Sequence, residues 1–184
     1  MSKQFSEDVA LAFSLFVLVV FFVLHFCSCA TPETYQVFKV PVYVDTTIRG
    51  PTKTETTEAI IYFFNRMEED FGIPWPILRR EFTAGLQDIT FRDGPIYYPD
   101  LPPAAGLYLY SKGVKLPASI VVAYSEGDCL AATALYHELM HHYLYRIITE
   151  WDGDKAHENR QVWEWLRAVR ESFEGYSLAC EGAS

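Results

Sequence analysis

His137-Glu138-Leu139-Met140-His141 places two imidazoles four residues apart, with a carboxylate directly after the first. On a helix, positions i and i+4 share a face one turn apart, so both imidazoles can address one metal ion. The glutamate then points to the side of that ion where an attacking water would sit, the arrangement of metal-assisted hydrolysis with a carboxylate base. Zinc is the metal that suits imidazole ligands and this chemistry.

The residues around the motif favour this reading. Leu130, Leu135, Tyr136, Leu139, Met140, Tyr143, Leu144 and Ile147 wrap almost the whole circumference of the helix, and a helix apolar all round is buried. An unpaired buried polar group costs about 1–3 kcal/mol; one metal ion partners both histidines, whereas the alternative is a pair of hydrogen-bonded core histidines. A hydrolytic zinc needs a third protein ligand and an open fourth position. His157 is the best candidate, because the turn signal Trp151-Asp152-Gly153-Asp154 can fold the chain back over the helix end. Asp154 and Glu158 flank it as alternatives, with Glu164 further off. His142 lies off the face of His137 and His141, one turn beyond Glu138; pairing with Glu138 or surface exposure is expected for it, not ligation. Tyr145, Tyr176, Arg146 and His142 are all possible donors to a developing oxyanion.

HELMHH on an apolar helix, followed by a later histidine in GDKAH, resembles the zincin metallopeptidases. The spaced third histidine followed by Trp163 is closest in pattern to the small SprT-like zincins. The resemblance covers about 30 residues, in the manner of a short motif match. It implies zinc on His137 and His141, Glu138 as general base, and a mixed sheet above the helix whose edge strand pairs with an extended substrate. The metzincin pattern fails at Leu144 and Ile147, and no thermolysin-like second motif is present, since Glu158-Asn159 has the order reversed. SprT-like proteins are commonly DNA-associated; the acidic charge of this chain argues against copying that role.

The elements that must position these residues read as a single α+β domain over residues 30–184, which the resemblance makes zincin-like. Thr31 to Tyr35 reads as a tether. Phe38 to Val44 alternates and is rich in β-branched and aromatic residues, a strand that Pro41 pushes toward an edge. Thr54 to Phe71 has helical spacing, closed by Gly72, with Pro74 and Pro76 against continuation. Ile89 to Arg92 is a short strand, and the proline-rich stretch Asp93 to Gly106 is a loop whose Tyr97 and Tyr98 belong to its surface or to a substrate groove. Gly106 to Tyr110 and Ser119 to Tyr124 are strands joined through Lys112-Gly113. Leu130 to Glu150 and Asn159 to Phe173 are helices. Helices gathered in the second half argue for α+β rather than a doubly wound fold.

Val9 to Phe26 is a run of 18 residues without Asp, Glu, Lys or Arg, just long enough to cross a hydrocarbon core of about 30 Å as a helix. Residues 1–29 are therefore expected to be a membrane anchor or a secretory signal, with Cys29 a candidate lipidation site. The chain holds 15 basic and 24 acidic residues, and residues 30–184 keep most of that excess. Such a balance excludes binding driven by phosphate neutralisation, so no nucleic-acid partner is expected. The expected partners are a peptide or protein substrate, cell-wall peptide included, and a membrane through the N-terminal segment. A non-catalytic metal-binding or membrane-tethered interaction domain is the alternative class. Cys129 and Cys180 would pair in an oxidising compartment.

Overall fold

The structure, a computed structural model, describes residues 33–45, 49–99, 102–111, 116–125, 128–130, 133–147 and 157–174. All belong to the unit formed from Pro32 onward. The chain enters it through a hairpin, β1 (Glu33–Val37) and β2 (Val40–Asp45), turned by Phe38 and Lys39 at φ 49° and 72°. Two successive left-handed residues match the twist of a two-residue hairpin, a conformation usually given to Asn-Gly. Here the cost is offset by the Phe38 ring, which packs on Phe64, Trp75 and Phe82 at 5.6–6.1 Å. From Glu33 onward the expected tether is thus an edge strand. β2 runs inside the sheet despite Pro41, because its pairing with β3 begins at Val42 and leaves Pro41 out of that ladder.

Helix α1 (Lys53–Phe71) starts in a capping box. Thr52 Oγ1 accepts from Glu55 N–H at 3.2 Å, and the Glu55 carboxylate accepts from Thr52 N–H at 2.6 Å. It ends at Gly72, left-handed at φ 66°. Pro74 and Pro76 do not end helical structure there. They open a second helix, α2 (Trp75–Gly85), with Pro76 in its first turn, where a missing N–H costs nothing. β3 (Leu86–Asp93) is longer than the sequence suggests, while β4 (Gly106–Leu109) and β5 (Ala118–Tyr124) fall where expected. The connection through Lys112-Gly113 lies outside the described residues. Tyr97 and Tyr98 are exposed on the loop surface.

The five strands form one mixed sheet in the order β1-β2-β3-β5-β4. β2, β3 and β5 are parallel, and the two edges are antiparallel. Alternating burial along β2 and β5 leaves one face covered, and α1, α2 and α3 (Leu135–Ile147) pack against the sheet. The last helix, α4 (Arg160–Glu174), packs on α1 and α3. The described residues therefore form an α+β fold, as expected, with a five-stranded mixed sheet and four helices; β1 and α2 are additions to the four strands and three helices read from the sequence. Among them no helix is long and apolar enough to cross a membrane. The apolar run 9–26, the candidate lipidation at Cys29 and the turn at 151–154 lie outside the described residues. Cys129 is disulfide-bonded; its partner, and so the expected pairing with Cys180, also lies outside them.

Candidate metal centre

Helix α3 is held at a fixed rotation about its own axis. Two buried phenols on one side reach backbone carbonyls of neighbouring helices, Tyr136 to Ala59 and Tyr143 to Leu78, both at 2.9 Å. Another face carries Glu138, His142 and Tyr145 at helical spacing, and it lies along β4. Gly106 meets Glu138, Tyr108 meets His142, and Tyr110, just past the end of β4, meets Tyr145, so alternate residues along this segment match successive turns of the helix. Gly106 is required there: a Cβ would stand 2.5 Å from both Glu138 Oε1 and Ala134 Cβ.

With α3 so placed, His137 and His141 turn toward His157, at the entry to α4. The three Nε2 atoms form a near-equilateral triangle with sides of 3.1, 3.2 and 3.2 Å. Hydrogen bonding cannot account for this triangle. A neutral imidazole Nε2 either donates or accepts, never both, so at most one side of the triangle is a good hydrogen bond. Protonation cannot account for it either. Burial pushes the pKa of His137 down to about 4 and of His141 to about 3, each helped by the neighbouring imidazoles, and Arg170 adds to the effect at His137. Three lone pairs converging on one point fit a cation. Nitrogens about 2.0–2.1 Å from a tetrahedral zinc are about 3.3 Å apart, close to the spacing found. Among the described residues this is the group able to hold a metal.

Of the alternatives for the third position, Glu158 and Glu164 are not in the group; Glu164 pairs instead with Arg160 at 2.6 Å. Asp154 lies outside the described residues. Trp163, one turn into α4, stacks its indole on His137 at 4.5 Å and on His157 at 5.1 Å, with the His141 ring at 5.4 Å. It is an apolar wall for the triad.

Glu138 is 4% exposed, and burial alone pushes its carboxyl up to about 8. A cation in the triad would draw it back down, since opposite charge favours the ionised form. Glu138 and His137 both line an open cleft of about 520 Å³ between the start of β4 and α4. Its further wall holds Arg167 and Arg170. The sequence reading passed over these two, although Trp163, Leu166, Arg167 and Arg170 fall at i, i+3, i+4 and i+7, the signature of one helix face.

His142 corrects an expectation. It neither pairs with Glu138 nor reaches the surface; it is fully buried. Its Nε2 donates to Glu81 O at 3.1 Å, which leaves Nδ1 to accept from the Tyr108 hydroxyl at 3.2 Å. Burial lowers its pKa to about 4, consistent with a neutral ring. Arg146 is committed to the Glu81 carboxylate through two contacts of 3.0 Å, and Tyr145 donates to Ser111 O. Three of the four candidate oxyanion donors are thus engaged away from the cleft, and Tyr176 lies outside the described residues. No family model matches this chain, and no curated protein and no solved structure matches it either.

Proposed function

We propose that this chain is a zinc-dependent peptidase of the zincin type, acting at a membrane or outside the cytosol. The observation that carries the reading is the triangle of three Nε2 atoms, 3.1–3.2 Å on a side, whose first histidine shares the wall of an open cleft with a buried glutamate. His137, His141 and His157 would hold the metal. A purely structural zinc site is closed by a fourth protein ligand; three histidines leave a position open, as hydrolysis requires. When bound, zinc supplies Lewis acidity, polarising a carbonyl and making water acidic enough to lose a proton near neutrality. Glu138 takes that proton at its carboxylate as the water attacks the amide carbon, then delivers it to the departing nitrogen. Trp163 and the apolar turns of α3 wall one side of the triad, and the lower polarity on that side strengthens the charge interactions there. The N-terminal run 9–26 and the acidic charge of the chain support placement at a membrane and a substrate other than nucleic acid.

Metal analysis and a cleavage assay test the proposal together. The full chain should hold one zinc, and His157→Ala should lose it. Across a panel of unstructured proteins and cell-wall peptides, Glu138→Gln should keep the zinc and lose about 10²- to 10⁴-fold in rate. Cleavage at the parental rate by Glu138→Gln would overturn the mechanism. Stoichiometric zinc without cleavage of any substrate would favour a non-catalytic metal-binding domain.

A further inference from the structure

Beyond the metal, the cleft has a second chemical feature. Arg167 and Arg170 line the same cavity as His137 and Glu138. They follow Trp163 on one face of α4, about 6 and 10.5 Å further along the helix axis at about 1.5 Å per residue. Among the described residues lining the cleft, Glu138 is the sole acidic one.

Arg160, on the same helix, contrasts with Arg167. Arg160 pairs along the helix with Glu164. Arg167 forms no ion pair among the described residues, even with Glu171 one turn on. A guanidinium offers a planar fork of donors that matches a carboxylate, and two of them on adjacent turns can hold one carboxylate from both sides.

We propose that Arg167 and Arg170 form a carboxylate-binding subsite, so that the preferred substrates are peptides with a carboxylate two to three residues from the cleaved bond. This rests on the peptidase reading above. The separation follows from the 6–10.5 Å offset, since extended peptide advances about 3.3 Å per residue. Two sources present this chemistry, the C-terminal carboxylate of a short peptide and the side chain of an Asp or Glu.

Three pools of N-acetylated random hexapeptides separate them: one ending in a free carboxylate, one in an amide, and one amidated with Glu fixed at the third position. Each is dialysed against the full chain carrying Glu138→Gln, which prevents turnover, and retained peptide is measured. At least one carboxylate pool should be retained roughly 10- to 100-fold more tightly than the plain amide pool, the range of a charge-assisted hydrogen-bonded contact. Arg167→Gln with Arg170→Gln should abolish the preference while zinc content stays at one per chain. Arg167→Lys with Arg170→Lys should keep part of it, because charge survives but the fork does not. The preference should persist in metal-stripped protein, since the arginines carry it, so a failure of the zinc reading would appear separately as absent zinc. Equal retention of all three pools by the parent, a comparison that needs no arginine variant, would overturn the subsite. So would an unchanged preference in the folded double Gln variant.

Discussion

Gly106 and Glu138 show how closely the candidate chemistry depends on single atoms. A methyl group on Gly106 would meet the Glu138 carboxylate, which can swing away, and Ala134 Cβ, which is fixed to the helix. Gly106→Ala must therefore push β4 off α3 or displace the carboxylate. It should cost about 1–3 kcal/mol, the range for overpacking. Zinc binding should survive, because the three histidines lie on α3 and at the entry to α4, but cleavage should fall. Unchanged stability and cleavage would mean that the close approach is not needed. Which residues the site brings together was largely legible, since HExxH spacing nominates His137, Glu138 and His141, and ligand type and reach nominate His157. The role of His142 was not legible. Its burial depends on Tyr108 and Glu81, which come from β4 and α2 and are distant in sequence.

Among the elements, β4 and α3 form a matched pair, and His142 joins both to α2. Gly85, the last residue of α2, is part of that joint: a Cβ there would stand 2.7 Å from the His142 ring and 2.9 Å from Arg146 Nε. The ion pair Glu81–Arg146 closes the joint on the α2 side. Burial pushes the Glu81 carboxyl up, but the hydrogen bonds and charges of Arg80 and Arg146 outweigh it and hold the group below the ordinary carboxylate range. A carboxyl with a lower pKa folded than unfolded contributes stability above about pH 4.5, and loses it as pH falls through the folded value. Glu81→Gln should thus lower the denaturation midpoint at pH 7, by about 1–3 kcal/mol in stability. The difference from the parent should shrink toward pH 3, as read by urea unfolding at several pH values; a constant difference would refute the pairing. Helices announced by local chemistry were readable, as with the apolar spacing and closing Gly72 of α1 and the periodic α3, whereas the Thr52 capping box emerges only from the structure. The β1–β2 hairpin was hidden because its turn is held by Phe38 packing in the core rather than by turn-forming residues. α2 was hidden because proline reads first as a stop, and only its place in the first turn makes it a start.

For the whole molecule, a bound ion adds to folding stability by mass action. At a free zinc concentration of 100 times its dissociation constant the gain is about 2.7 kcal/mol. For a domain of this size that raises the melting midpoint by roughly 5–10 °C. Zinc should raise the midpoint of the parent and leave that of His157→Ala unmoved; an equal rise in both would place the ion elsewhere. The sheet order was beyond a sequence reading, and its mixed direction came only from the family resemblance, because pairing between strands as distant as β3 and β5 is decided by the assembled core.

The positions of the three histidines carry one more consequence. His141 and His157 are separated by 15 residues, and an ion shared between them is a reversible cross-link across that stretch. Joining the ends of a 15-residue loop removes about 3 kcal/mol of chain entropy from the unfolded ensemble. The saving belongs to the tail of the fold, for α4 is otherwise held by side-chain contacts such as Trp165 with Asp70 and Tyr62 with Phe173. A chelator should therefore not loosen the protein evenly. Amide hydrogens of Arg160–Glu174 should begin to exchange first while those of β3 and β5 stay protected, as they would if a metal held by the three histidines were a clasp on the last helix.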